Sequence, residues 1–336
     1  MTSHLALTLA QSGSQWIDFN VGLLAERFWA NTVDGLAYGS IYALVALGYT
    51  LVYGVLRLIN FAHSEVFVVG AFGAYFTFVG LGYKPGPTLA SGLGPLIANL
   101  VLAGAVAMIA AGLIALLLER VAYRPLRRRN APRLVFLITA IGASFAIQQG
   151  FYLWRGANPE PAIRLVRPEA VFDIAGTRIT NIQIVVFVAS VVLLIVADRF
   201  VGQTRLGRGI RAVAQDPDTA ALMGVNKERV IMLTFVIGGA LAGAAALFYV
   251  MMIPQGVLYN GGFLLGIKAF TAAVLGGIGN LRGALLGGLL LGVVENYGQT
   301  LFGGEWRDVV AFVLLIGILM VRPTGILGES LGRARV

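Results

Sequence analysis

Apolar runs close to the length of a bilayer crossing recur nine times in this chain, near residues 32–55, 61–82, 95–118, 134–154, 181–200, 230–252, 263–278, 283–302 and 308–321. About 20 such residues span a hydrocarbon core as a helix. The runs are continuously apolar rather than alternating, and backbone groups in lipid must find their partners within the segment, so helices are the expected spanners. The fold class that follows is an all-α polytopic membrane protein with eight or nine transmembrane helices, some short or broken. The count stays open because the seventh and eighth runs are short and glycine-rich and also read as a re-entrant pair. Composition agrees: 12% of the 336 residues are charged, against about 25% in soluble domains.

Charge sets the orientation. The net charge is +9. A basic balance admits nucleic acid as a partner, but here the basic residues cluster between apolar runs, as on cytoplasmic loops. "RPLRRRNAPR" (124–133), residues 198–230 and the tail with Arg322, Arg333 and Arg335 share one side if nine runs cross. That side reads as cytoplasm, with the N-terminus outside, the C-terminus inside and the cell's inner membrane as location. The division expected is a lead-in over 1–30, a membrane domain over 31–322 and a cytoplasmic tail over 323–336. The loop 155–180, with mixed charges and three prolines, then faces outward.

"LINFAHSEVF" (58–67) places His63 and Glu65 among oily neighbours. One reading is structural. Asn60 or Ser64 caps a helix at the inner interface, Glu65 sits in the first turn where the helix dipole favours a carboxylate, and Arg57 neutralises it. The other is functional: Asn60, His63 and Glu65 line and gate a wet path, because ionisable groups at membrane depth face cavities or bundle interiors. Ser40, Tyr42 and Tyr49 are further candidates for lining such a path. Lys268 and Glu295 fall roughly 8–10 Å below the outer surface by helical rise, where lone charges are costly, so the two are expected to face each other. Gly239 and Gly243, and likewise Gly279, Gly283 and Gly287, recur at four-residue spacing. That spacing puts small residues on one helix face and favours close helix packing.

Several chemistries find no residues here. The sequence has no cysteine and two histidines, no phosphate-binding loop, no HExxH and no GxSxG, so the chain is not expected to bind ATP, a metal or a cofactor, or to be an enzyme. No ladder of Asp, Glu and His runs through the apolar segments, which weakens an ion-coupled carrier. The energy for a passage would come from outside the chain. The segment 204–230 is too polar to span. "GIRAVAQ" (209–215) reads as helix, Asp216 as an N-cap and Pro217 as a first helical residue. A short helix over 217–223 then stops at Gly224. Ala220 and Ala221 give it a small face for a partner's groove.

Four blocks carry a resemblance: "NTVDGLAYGSIYALVALGYTLVYGVLRLINFAHSEVFVVGAF", "LERVAYRPLRRRNAPRLVFLITAIGASF", "RAVAQDPDTAALMGVNKERVIMLTFVIGGALAGAAALFY" and "GIKAFTAAVLGGIGNLRGALLGGLLLGVVE". In order and spacing they resemble the branched-chain amino-acid ABC importer permease family. The closing "EWRDVVAFVLLIGILMVRPTGILG" is similar to the smaller of its two paired membrane subunits. The resemblance implies a second related permease, two cytoplasmic ATPase subunits that use ATP and Mg, an outer binding protein and an amino-acid substrate. It also implies an ATPase-coupling helix near 213–226, with Arg211, Asp216, Pro217, Ala220, Ala221, Met223 and Gly224 as its residues. Relatives of this kind carry leucine, isoleucine and valine, but also other amino acids, amides or urea, and an ion-coupled secondary transporter is the competing class.

Overall fold

A computed structural model describes residues 21–86, 92–174, 176–253 and 255–328. All nine apolar runs are helices. A short exposed helix α1 (Val21–Glu26) leads into α2 (Phe28–Leu56), α3 (His63–Gly80), α4 (Leu93–Leu118), α5 (Arg124–Arg128) and α6 (Arg133–Arg155). A hairpin of β1 (Ala170–Ile174) and β2 (Thr177–Thr180) precedes α7 (Asn181–Gln203), so the all-α reading gains a small antiparallel pair in the loop before it. Then follow α8 (Arg205–Gln215), α9 (Pro217–Leu222), α10 (Lys227–Met252), α11 (Gly261–Gly276), α12 (Leu281–Phe302) and α13 (Arg307–Val321). Five stretches are long and apolar enough to cross a membrane: Phe28–Leu56, Leu93–Arg128, Arg133–Arg155, Asn181–Gln203 and Lys227–Met252. At 16 and 15 residues, α11 and α13 reach only about 24 and 22 Å at helical rise.

Between α4 and α5 the helix widens into a π turn over Glu119–Tyr123. Pro125 explains it: proline lacks the amide that would bond residue 121, and its ring crowds that carbonyl. The turn leaves Glu119 fully buried, paired with Arg124 at 3.0 Å and Arg127 at 2.7 Å, while Arg127 also reaches Glu228 of α10 at 2.9 Å.

Contacts sort the segment ends into two sets. Arg57 meets residues 214–215, Arg127 meets Glu228, Arg282 meets Asp198 and Asn280 meets Leu327, which gathers the arginine-rich segments at one end of the bundle. At the other end Asn31 bonds Thr300, Tyr83 bonds Asn99, and Glu160 pairs with Val257. Residues 326 and 327, after α13, return to the bundle. The amides of Ile326 and Leu327 bond the Leu275 and Gly276 carbonyls at 2.8 and 3.0 Å. At the start of the chain, residues 28–30 already belong to α2. Residues 1–20 of the expected lead-in, and 329–336 with Arg333 and Arg335, lie outside the described residues.

Helix α2 is the hub, packed against α7, α10, α11 and α12. Between apolar helices in lipid the attraction is dispersion and close fit rather than water exclusion, so small residues decide the geometry. A β-carbon on Gly35 would lie 2.6 Å from the Val293 Cα, and one on Gly39 would lie 2.8 Å from the Gly288 carbonyl. Gly239 and Gly243 do the same for α10 against α4, facing the Ala111 and Ala107 carbonyls. Gly283 and Gly287 let α12 meet Gly276 and Ala272 of α11. Gly279 differs from the expected packing role. It lies in the turn between α11 and α12 at φ +98°, with nothing within 4 Å of a notional Cβ, so its backbone conformation accounts for the residue.

Gly243→Ala should lower the thermal midpoint through overpacking of about 1–3 kcal/mol. Gly142→Ala, a helical position with open space beside it, should be neutral or raise it by up to about 1 kcal/mol. Fluorescence-detected melting of the two variants in detergent checks the contrast.

Candidate translocation path and coupling segment

Helix α2 ends at Arg57, which takes a left-handed backbone (φ 52°) as C-cap. The chain then turns back into the bundle. The His63 ring packs on Tyr49 at 4.7 Å between centroids and closes against Gly48. Gly48 lies eight residues before the end of α2, about 12 Å along its axis. Thus α3 begins inside the bundle, and the expected start at the inner interface is corrected. Neither Asn60 nor Ser64 caps α3. Asn60 Oδ1 accepts from the Ala62 amide at 3.1 Å and from the Tyr123 hydroxyl at 2.7 Å, while Ser64 donates to the Phe61 carbonyl at 2.9 Å. Glu65 is fully buried and does not meet Arg57. It accepts from Ser144 at 3.3 Å, and its Oε2 and the Nε2 of His63 have no hydrogen-bond partner among the described residues.

Asp34, Tyr38, Tyr42 and Tyr49 follow spacings of four, four and seven, so they share one face of α2. Each meets a polar group from elsewhere. Gln183 donates to Asp34. The Arg307 guanidinium lies 4.9 Å from the Tyr38 ring and donates to the Tyr42 hydroxyl at 3.5 Å. Tyr49 meets His63. Ser40 is not on this face; it donates to the Ala37 carbonyl of its own helix at 2.8 Å. Beside the stripe, Lys268 faces Glu295 at 2.5 Å, and the cluster is larger than a pair. Lys268 also meets Asp308 at 2.5 Å, and Arg307 meets the same Glu295 oxygen. Arg307 and Asp308 escaped the sequence reading because they open a different apolar run; two adjacent opposite charges at the head of a short span were the available signal. A cavity of about 280 Å³ opens at the Asp34 end of the stripe, bounded by α2, α7, the end of α10 and residues 162–168.

The polar segment is two helices at an angle. Ile210 and Val213 of α8 are buried, and the Arg211 guanidinium donates to the Val201 carbonyl, tying α8 back to α7. Asp216 and Pro217 break the helix. The Asp216 carboxylate accepts from the amides of Asp218 at 2.9 Å and Thr219 at 3.2 Å, and bonds from Thr219 hold it below the usual carboxylate range. Helix α9 stops at Gly224 with φ +84°. The two alanines of the expected small face part: Ala220 is buried against the chain itself and Ala221 is exposed, next to Leu222 and Met223, which are 88% and 81% exposed at the tip. Arg57 donates to the carbonyls of Ala214 and Gln215 at 3.2 and 2.9 Å, capping the C-terminus of α8. It therefore links the end of α2 to the root of that tip.

The model of the family described as "Branched-chain amino acid transport system / permease component" matches residues 31–319. The chain belongs to this family of ABC transporter permeases. Among its relatives, the high-affinity branched-chain amino acid transport system permease protein BraD of Pseudomonas aeruginosa is 45% identical over 301 residues, covering 88% of this chain and 94% of that protein. The LivH proteins of Salmonella typhimurium and Escherichia coli K12, with the same description, are 40% identical over 310 and 313 residues, covering 90% of this chain and 96% of theirs. No solved structure matches. The permease is thus a multi-pass membrane protein of amino-acid transport.

Lys268→Ala leaves Arg307 alone against two carboxylates, and Glu295→Ala leaves two cations against Asp308. Each should cost about 3–5 kcal/mol, the usual effect of breaking a buried pair. Lys268→Ala/Glu295→Ala restores the balance and should melt well above the midpoint expected from the sum of the single losses.

Proposed function

We propose that the permease is one of two related membrane subunits of an inner-membrane importer for branched-chain amino acids, powered by two cytoplasmic ATPase subunits that hydrolyse ATP with Mg and fed by an outer binding protein. The chain binds no cofactor of its own. Nine helices cross the bilayer, the N-terminus lies outside, and the arginine-rich end faces the cytoplasm. The relatives' role in branched-chain amino acid transport supports the substrate, and the positive-inside pattern supports the orientation.

The observation that carries the mechanism is the exposed Leu222–Met223 tip on an otherwise polar segment. Two large apolar side chains in water, on a helix capped at both ends, fit a pocket of a partner ATPase. Closure of the ATPases pushes α9, and Arg57 passes the displacement to α2. The stripe Asp34–Tyr38–Tyr42–Tyr49 and the inward fold at His63 and Glu65 then line a path that opens alternately to either face. Hydroxyls and rings along the stripe offer a small zwitterion brief contacts without a deep well, as a passage that must release its cargo requires.

In proteoliposomes with the full complex and binding protein, Leu222→Ser/Met223→Ser should reduce substrate-stimulated ATP hydrolysis at least tenfold. Arg57→Ala should reduce it several-fold, because the two hydrogen bonds that tie the end of α2 to the end of α8 are lost. Arg57→Lys should recover part of the loss. Stimulation that survives both sets of changes places the coupling elsewhere, and reporter fusions at residues 128 and 210 on opposite faces of the membrane would refute the topology.

A further inference from the structure

The cavity at the Asp34 end of the stripe has a lining with distinct chemistry. Its volume, about 280 Å³, lies just under the usual range for drug-sized ligands, so it suits a small molecule. Two opposite charges reach it from different elements: Asp34 from α2 and Arg164 from the loop before the hairpin. Gln183 Nε2 donates to Asp34 Oδ1, which fixes the carboxylate on its helix. Gln183 is itself fixed, because its amide oxygen accepts from both the amide and the hydroxyl of Thr180 at 2.8 Å in a capping box at the start of α7. The anionic wall is therefore held by packed helices. The cationic wall is on a loop pinned at Gly86, which bonds Ala162 and Arg164 at 3.3 Å. The remaining walls are mostly apolar, with Ile163 from the loop and Val250 and Met251 from the end of α10, beside Tyr38 and Thr180.

We infer that this cavity is a reception subsite for a zwitterionic aliphatic α-amino acid. Asp34 takes the α-ammonium, Arg164 takes the α-carboxylate, and Ile163, Val250 and Met251 surround the side chain. This deepens the importer reading and rests on it. One anion and one cation around an apolar space match an α-amino acid, whereas a neutral amide or urea offers neither charge a counter-ion, which disfavours it relative to a zwitterion. The site also explains where the stripe begins. Asp34 is its first residue, and Tyr38, one turn deeper, lines the cavity as well and lies beneath Arg307. A ligand that leaves Asp34 moves next to the ring and cation of that layer. The charge pair divides between a rigid helix and a loop at the outer rim, so displacement of the 162–168 loop separates the two halves of the grip and frees the ligand.

The test uses the permease–ATPase complex in nanodiscs without the binding protein, so that any saturable binding belongs to the membrane subunits. Tritiated L-leucine is the probe, with 4-methylpentanoate (no amine) and isopentylamine (no carboxylate) as competitors. Binding should saturate, and both truncated analogues should compete at least tenfold more weakly than unlabelled leucine. Asp34→Asn and Arg164→Gln should each weaken leucine binding tenfold or more. Asp34→Asn should spare 4-methylpentanoate, and Arg164→Gln should spare isopentylamine. Arg164 is exposed on a loop, so Arg164→Gln remains informative even if Asp34→Asn fails to assemble with its partners. Leucine binding within twofold of wild type in the variants, equal competition by the truncated analogues, or no saturable binding by the wild type overturns the subsite. Failure of the importer reading is a separate outcome: the wild-type complex with its binding protein would then show no ATP-driven uptake of leucine, isoleucine or valine.

Discussion

The contact on which the rest of the structure depends is the approach of α2 to α12, backbone against backbone. Gly35 and Gly39 on one helix meet Gly288, Gly292 and Val293 on the other at distances that leave no room for a methyl group. In a bilayer, apolar side chains gain little by leaving lipid for protein, so helices hold together through the density of their contacts. Removing side chains at the crossing lets two backbones share the space and draws α10 and α11 in around the same hub. With α2 enclosed on several sides, most of its polar stripe faces protein groups, and Asp34, Tyr38, Tyr42 and Tyr49 each find a partner on another element, while Asp34 and Tyr38 also line the cavity at one end.

Enclosure also explains the treatment of charge. Lys268, Glu295, Arg307 and Asp308 form a closed set of two cations and two anions across three helices. Lys268 and Glu295 are buried and could not be taken from water singly without a large penalty, and the partly exposed Arg307 and Asp308 complete the balance of charge. Glu119 is handled the same way near the opposite end, where a π turn aims it at two arginines. Glu65 is the exception. It is as deeply buried but meets only serine hydroxyls among the described residues. This buried acid sits two residues into α3, close to the point where the chain turns back from Arg57, and among the described residues its carboxylate is compensated by hydroxyls alone.

The polar segment 204–226 follows a different logic, because its side chains are largely exposed. Its geometry is local: an aspartate cap, a proline at the first helical position and a glycine stop. Arg211 ties it to α7, and Arg57 ties it to α2: the Arg57 side chain caps α8 while its own backbone ends α2, so one residue terminates two helices.

The sequence by itself determined which segments are helices, because an apolar run of bilayer length has no other way to satisfy its backbone. It determined the break at Asp216–Pro217 and the stop at Gly224, because caps and backbone conformations are set by neighbours in the chain. The loop charges likewise carried the sorting of the two ends. Only the tertiary structure decided the partners. Arg57 meets carbonyls 157 residues away rather than the nearby Glu65, and Arg307 reaches Tyr42 across 265 residues. Gly279 has the spacing of a packing glycine but lies in a turn, and Ala220 faces inward while Leu222 and Met223 protrude. Spacing along one helix tells which residues share a face. Which face meets which depends on how several helices divide a common volume, and no single segment contains that information.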